Sequence, residues 1–81
     1  MNHELKILPV YFEHVLDGSK TFEIRYNRDR GFQKGDMVTL REYDQSIASG
    51  SYTGRKLMKK ITYVTGFEQK PDFVVLALGD V

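Results

Sequence analysis

Length and composition restrict residues 1–81 to one small globular domain. The contents of 41% hydrophobic and 28% charged residues are typical of a globule with one modest core, and they exclude a disordered chain. The absence of cysteine excludes disulfides, thiolate zinc sites and cysteine nucleophiles, and the net charge of +1 excludes a protein that is basic overall.

The start of the chain predicts a strand followed by a short helix. Polar and apolar residues alternate over 4–8, which is the pattern of a β-strand. Pro9 suits the first turn of a helix, and Gly18 suits the position just beyond a helix end. The helix is therefore predicted over residues 9–17.

Residues 21–26 predict a second strand with two different faces. Alternation puts its large apolar residues on one side, and we expect that side to contact the core. These residues are Phe22, Ile24 and Tyr26. Glu23 and Arg25 share the other side, so we expect them on the outer surface or on the wall of a cleft.

The rest of the chain predicts three more strands and two polar loops. The strands are predicted at 37–43, 56–65 and 73–78, and the loops at 27–36 and 44–54. Tyr52 is expected at the tip of the second loop. The last strand is nearly continuous in apolar residues, as is typical of a central strand buried on both faces.

These elements favour a mainly β fold of the α+β class. One helix and about five strands with hairpin-type connections predict a small, mostly antiparallel barrel or folded sheet. Phe32 in the first loop either plugs the end of such a barrel or stacks on a ligand. The turn at Gly35 and Asp36, which leads directly into an apolar strand, favours the plug.

Three charged residues lie close together where the second strand begins. Lys20, Glu23 and Arg25 fall within six positions, and two cations beside one carboxylate can bind an anion or exchange a proton. Two interpretations remain open. Glu23 and Arg25 form either an exposed ion pair of little energetic value or a pair that positions a polar ligand. Lys20 is either a solvated turn residue or part of that site.

Basic residues concentrate in two blocks, 19–41 and 55–60, with net charges of +3 and +4. If the fold joins these blocks they form a positive patch, and otherwise they are two solvated surfaces. Arg28, Arg30 and Lys34 surround Phe32 in the first block. Basic residues interleaved with an aromatic ring suit single-stranded nucleic acid, in which arginine contacts phosphate and the ring stacks on a base.

No motif of a metal site, a phosphate loop or a serine triad occurs in the chain. His3 and His14 are far apart and lack companion ligands, so we expect no metal and no cofactor. There is no signal-peptide pattern and no apolar run long enough to cross a bilayer, so we expect a cytoplasmic protein without a membrane partner. The oligomeric state is left open.

The segment from Gly18 to Arg25 has the spacing Gly-x-Lys-x-x-Glu-x-Arg, which resembles the signature of ASCH domains in the PUA-like superfamily. The resemblance covers nearly the whole chain and points to a small bacterial and phage subfamily of unknown function. Further matching positions are 3–7, 11–12, 27, 29–30, 32, 35–36, 40–43 and 52–55. The resemblance implies a PUA-like β-barrel of about five or six strands with one or two short helices.

The resemblance also implies that the chain binds RNA or a nucleotide in a cleft beside the signature motif. The residues expected to bind the ligand are Lys20, Glu23, Arg25, Arg28, Arg30, Tyr52 and Arg55. In this hypothesis Lys20 and Arg25 hold a phosphate or a base edge, and Glu23 orients them. A module that binds another protein is a further alternative.

An amidohydrolase is the enzymatic alternative that the resemblance implies. Some ASCH proteins remove an acyl group from a modified cytidine, and a lysine at the position of Lys20 carries their chemistry. In that case Lys20 would activate water, and Glu23 would relay a proton or hold the lysine. Those enzymes have threonine at the position of Glu23 and use a distant glutamate, for which Glu68 is the candidate here.

Overall fold

The computed structural model describes all 81 residues, which form one curled β-sheet and one short helix. The elements are β1 (Asn2–Ile7), α1 (Pro9–Leu16), β2 (Phe22–Tyr26), β3 (Met37–Asp44), β4 (Ser51–Thr65) and β5 (Phe73–Gly79). The strand order is β1-β3-β4-β5-β2, in which β1 and β3 are parallel and the other pairs antiparallel. The fold is mainly β, a five-stranded half-barrel. Its helix of eight residues is too short to cross a membrane.

Local sequence accounts for both ends of α1. Pro9 lies in the first turn, where N–H groups have no acceptor within the helix, so its missing N–H costs no hydrogen bond. Gly18 follows the helix with a φ of +86°, a left-handed conformation that glycine adopts without a steric penalty. The chain then turns back, and the main-chain N–H of Lys20 donates to the carbonyl of His14 at 2.9 Å. This turn places Lys20 directly before β2.

The core lies between the concave face of the sheet and α1. Its members are Leu5, Ile7, Phe12, Val15, Phe32, Val38, Leu40, Ile61, Leu76 and Leu78. Irregular pairing after Arg41 in β3 and after Ile61 in β4 bends the sheet around this core. Phe32 is buried with its ring centroid 4.6 Å from that of His3, as the plug interpretation predicts.

The direction predicted for the faces of β2 is wrong. Alternation is present, but the apolar side faces outward, with Phe22, Ile24 and Tyr26 42%, 52% and 44% exposed. Glu23 points inward and only 6% of its side chain is exposed. The physical reason is that β2 is an edge strand beside the opening of the half-barrel. Its inner side meets two cations rather than apolar side chains, so a carboxylate can be buried there.

Two further predictions about strands are corrected. Tyr52 is not at a loop tip, because β4 begins at Ser51 and Tyr52 pairs with Tyr43 of β3. The β3–β4 hairpin thus extends to Ser51, beyond an irregular segment at 53–55, whereas the sequence pattern predicts a loop over 44–54. The strand β5 is interior in the sheet order, but only Leu76 and Leu78 of its seven residues are buried. Its outer face is half-covered rather than buried.

Candidate functional site

The carboxylate of Glu23 is the centre of a compact network of charged side chains. Its Oε1 accepts hydrogen bonds from Nε and Nη2 of Arg25 at 3.2 and 2.8 Å. Its Oε2 accepts from Nζ of Lys20. Strand alternation explains why Glu23 and Arg25 share a side, and the turn after Gly18 brings Lys20 to the same place. The structure therefore joins all three residues of the Gly-x-Lys-x-x-Glu-x-Arg segment in one site.

The network leaves donors unused on both cations. Lys20 also donates to the carbonyl of Phe22 at 2.7 Å, and Nη2 of Arg25 donates to the carbonyl of Lys6 at 2.8 Å. An ammonium carries three N–H groups and a guanidinium five, so one N–H of Lys20 and the whole of Nη1 of Arg25 have no protein partner. Both acceptor oxygens of Glu23 are in use. The site can therefore donate hydrogen bonds to a ligand that carries acceptors.

A groove follows the opening of the half-barrel between β1 and β2. Three adjoining hollows form it, with volumes of about 350, 380 and 310 Å³. The first two share Tyr11, Glu23 and Ile24, and the last two share Arg25 and Tyr26. We call this feature the β1–β2 groove. It runs the length of β2, which is about 16 Å for five residues at the usual rise of a strand.

Aromatic rings and cations alternate along the β1–β2 groove. The first hollow is lined by Tyr11, Phe22 and Lys20. The Lys20 ammonium lies 4.9 Å from the centre of the Phe22 ring and 5.7 Å from that of Tyr11. Tyr26 and Phe73 line the second hollow, with their ring centroids 5.4 Å apart. Sequence reasoning missed Tyr11 and Phe73 as site residues, because only the fold brings them to β2.

The main chain of β2 also offers polar groups to the groove. The N–H of Asn27 donates to Asp72 and the carbonyl of Thr21 accepts from Leu78, so odd-numbered residues direct their main chain toward β5. Hydrogen bonding alternates along an antiparallel strand, and the even-numbered Ile24 and Tyr26 therefore direct theirs away from β5. No other strand pairs with β2 on that side. Their N–H and C=O groups face the groove.

Comparison with known proteins places the chain in a family. A family model described as "Domain of unknown function (DUF3850)" matches residues 2–78. The chain belongs to the DUF3850 family. The "Uncharacterized 12.9 kDa protein in GpA 3'region" of Escherichia phage P2 is 39% identical to this DUF3850 domain over 82 residues, which cover 98% of this chain and 71% of the phage protein. The β1–β2 groove lies entirely within the region that the DUF3850 model matches.

The DUF3850 domain does not bring all the predicted site residues together. Arg30 lines the third hollow of the groove, and its Nη1 donates to the carbonyl of Glu4 at 3.1 Å. Arg28 is exposed and makes no side-chain contact. Tyr52 and Arg55 line a different hollow that shares no residue with the groove. The structure therefore separates Tyr52 and Arg55 from the groove, and their part in binding a ligand stays a prediction.

Arg55 instead belongs to a second buried ion network in the DUF3850 domain. It donates from Nε and Nη2 to the carboxylate of Glu42 at 2.9 and 2.8 Å, and it also contacts Glu13 of α1. Thr53 donates to the same Glu42 carboxylate at 2.6 Å. The hydrogen bonds from Arg55 and Thr53 lower the pKa of Glu42 from 4.5 to about 2, and the hydrogen bonds of Arg55 to Glu42 and Glu13 raise the pKa of Arg55. The network ties α1 to the sheet, and no short-range sequence signal indicated it.

Acidic and histidine side chains are scattered in the DUF3850 domain. No three of them come together in a way that could hold a metal ion. His3 is buried and its Nε2 lies 2.9 Å from Oδ2 of Asp36. His3 is therefore a core histidine with one hydrogen-bond partner. This contact lowers the pKa of Asp36.

Proposed function

We propose that this DUF3850 domain binds single-stranded RNA or a nucleotide in the β1–β2 groove. The observation that carries the proposal is the set of unused donors on Lys20 and Arg25, which border a groove lined with aromatic rings. Phosphate oxygens and base edges supply the acceptors that such donors need, and bases stack on aromatic side chains. The ASCH resemblance of the Gly18–Arg25 segment supports the same function, and with it a PUA-like character of the half-barrel.

Different parts of the groove would recognise different parts of the ligand. Lys20, Arg25 and Arg30 lie at intervals along β2 and suit successive phosphates. Tyr26 and Tyr11 are about half exposed, so each has a ring surface available for stacking. The main-chain groups of Ile24 and Tyr26 suit the hydrogen-bonding edge of a base. Glu23 acts by fixing the two cations, because its oxygens are already occupied.

The geometry of Lys20 favours binding over catalysis. Lys20 is a donor both to the Glu23 carboxylate and to the Phe22 carbonyl. A lysine that activates water needs its Nζ free to approach the water, and protein acceptors already engage two of the three N–H groups of Lys20. The amidohydrolase remains a separate proposal with a direct test. Release of acetate from an acetylated cytidine, abolished by Lys20→Gln, would favour the enzyme over the binding module.

Fluorescence anisotropy with a labelled single-stranded RNA tests the binding proposal. We expect saturable binding at low salt that is weakened fivefold or more by Tyr26→Ala, since stacking on one base contributes about 1–3 kcal/mol. The matched control is Tyr63→Ala, because Tyr63 is 62% exposed and lines no hollow. Absence of RNA binding, or equal loss in both variants, would reject the proposal.

A further inference from the structure

A row of three cations crosses the outer face of the sheet, and one of them, Lys6, also lines the β1–β2 groove. Arg41 of β3 is paired in register with Lys6 of β1 on one side and with Lys56 of β4 on the other. Like charges directly opposite each other on neighbouring strands destabilise a sheet. Glu4, whose carboxylate lies 3.4 Å from Nη1 of Arg41, is the single acidic partner of the row. This arrangement needs an anion to offset its repulsion.

Aromatic rings hold two of these cations in place. The guanidinium of Arg41 lies 3.8 Å from the centre of the Tyr52 ring, and the Lys6 ammonium lies 4.2 Å from that of Tyr43. The two tyrosine rings contact each other edge to face, with centroids 5.2 Å apart. Because the rings restrict the cations before any ligand arrives, less conformational entropy is lost on binding.

A hollow of about 330 Å³ lies beside this row. It is lined by Glu4, Arg41, Tyr52, Gly54, Arg55 and Lys56. Three cations and one carboxylate line it, and Glu42 and Glu13 offset the charge of Arg55 from outside the hollow. Lys56 makes no side-chain contact, and Nη1 of Arg55 has no partner while the rest of that guanidinium is held by Glu42. The hollow thus presents unused donors on β4, beside Arg41 of β3.

We propose that this hollow binds a phosphate group and is a second anion site of the protein. A phosphate group supplies acceptors for the free donors of Arg41, Arg55 and Lys56, and guanidinium groups match the spacing of phosphate oxygens. We call it the outer phosphate site. It shares no residue with the hollows of the β1–β2 groove, so it does not depend on the RNA-binding proposal.

Titration of the ¹⁵N-labelled protein with inorganic phosphate, followed by amide chemical shifts, tests the site. We expect saturable shifts at Arg41, Gly54 and Lys56. Lys56→Gln, at an exposed residue without partners, should weaken binding about tenfold. Glu4→Gln should strengthen it about twofold to fivefold, because it removes the carboxylate that competes for Arg41.

Charge-matched controls separate a specific site from general attraction. Lys70→Gln changes the net charge as Lys56→Gln does, and Glu68→Gln changes it as Glu4→Gln does. Both control residues are exposed, lie in the β4–β5 turn and form no salt bridge. We expect both controls to bind phosphate like the parent protein. Absence of saturation, or equal effects of Lys56→Gln and Lys70→Gln, would overturn the proposal.

A second titration identifies the source of the phosphate. A dinucleoside monophosphate contains a phosphodiester and no terminal phosphate. Shifts with both probes assign the outer phosphate site to a nucleic-acid backbone, and shifts with inorganic phosphate alone assign it to a free or terminal phosphate. RNA binding by the Lys56→Gln protein is measured separately. Because Lys56 does not line the groove, this measurement tests the RNA-binding proposal independently of the phosphate site.

Discussion

Arg25 of β2 donates from Nη2 to the main-chain carbonyl of Lys6 in β1 at 2.8 Å, so one side chain joins the two edge strands of the sheet. No main-chain pairing connects β1 and β2. The same Nη2 donates to Glu23, which fixes the guanidinium across the opening. The half-barrel is therefore held together at this side by an ion network, and the β1–β2 groove lies directly beside it.

Arg25→Ala should destabilise the protein by about 3 kcal/mol. The substitution leaves the buried Glu23 carboxylate with Lys20 as its single cationic partner and also removes the link to Lys6. The value is at the lower end for a broken ion pair, because a quarter of the Arg25 side chain is exposed. Urea unfolding monitored by circular dichroism measures the change in free energy of unfolding.

Two further variants make this prediction specific. Arg25→Lys keeps the charge but lacks the fork that reaches both Glu23 and Lys6, so its stability should be intermediate. Arg28→Ala removes an equal charge from an exposed residue without contacts and should change stability by less than about 0.5 kcal/mol. Equal unfolding midpoints for Arg25→Ala and Arg28→Ala would show that the network does not hold the opening.

The positions of most elements could be predicted from local sequence. Pro9 lacks an N–H donor and Gly18 adopts a left-handed φ. Both properties act on the main chain directly, and they set the two ends of α1 closely. Alternation also predicted that Glu23 and Arg25 share a side, because residues two apart on a strand do so, whereas the position of Lys20 was left open. These features depend on neighbours in the sequence alone.

The failures concern properties that depend on distant residues. Alternation in β2 reveals two faces but not which one points inward, and the buried Glu23 reverses the usual choice because Lys20 and Arg25 compensate its charge. Tyr52 and Arg55 were predicted to bind a ligand, as Lys20 was, but the sequence did not show that they lie in a different hollow. The register between β3 and β4 instead places Tyr52 on the outer face and Arg55 against Glu42, and such long-range pairing leaves no local pattern.

The salt dependence of RNA binding should report the contact made by Arg30. For single strands the slope of log K against log salt is about −0.7 for each phosphate neutralised. Arg30→Gln should therefore make the slope less negative by about 0.7, since Arg30 lines the third hollow of the groove. Lys70→Gln, outside the groove, should leave the slope unchanged. Parallel plots for the parent and Arg30→Gln would exclude Arg30 from the interface.

Acid should lower the free energy of unfolding, partly because it protonates Glu42. Its pKa is about 2 in the folded protein and near 4.5 without its partners, so its contribution to stability is complete above pH 4.5 and is lost as the pH falls toward 2. The free energy of unfolding should thus decrease more steeply over this range in the parent than in Glu42→Gln. Urea unfolding at several pH values measures both curves. The lowered pKa values of Asp17 and Asp36 affect both proteins alike and cancel in the comparison, whereas Glu42→Gln also removes a charge that raises the pKa of Asp44.

Gly50→Ala should destabilise the protein more than Gly54→Ala. Both glycines have a positive φ, +105° and +96°, so alanine strains the main chain at either position. A Cβ at Gly50 would lie 2.3 Å from the hydroxyl oxygen of Tyr43, whereas one at Gly54 would meet nothing within 4 Å. The extra cost at Gly50 should be about 1–3 kcal/mol, because the Tyr43 ring must move. Unfolding midpoints measure the difference, and near-ultraviolet circular dichroism reports the tyrosine rings. Equal midpoints with unchanged tyrosine signals would contradict this account. Since Tyr43 contacts Lys6 and Tyr52, Gly50→Ala should also weaken phosphate binding.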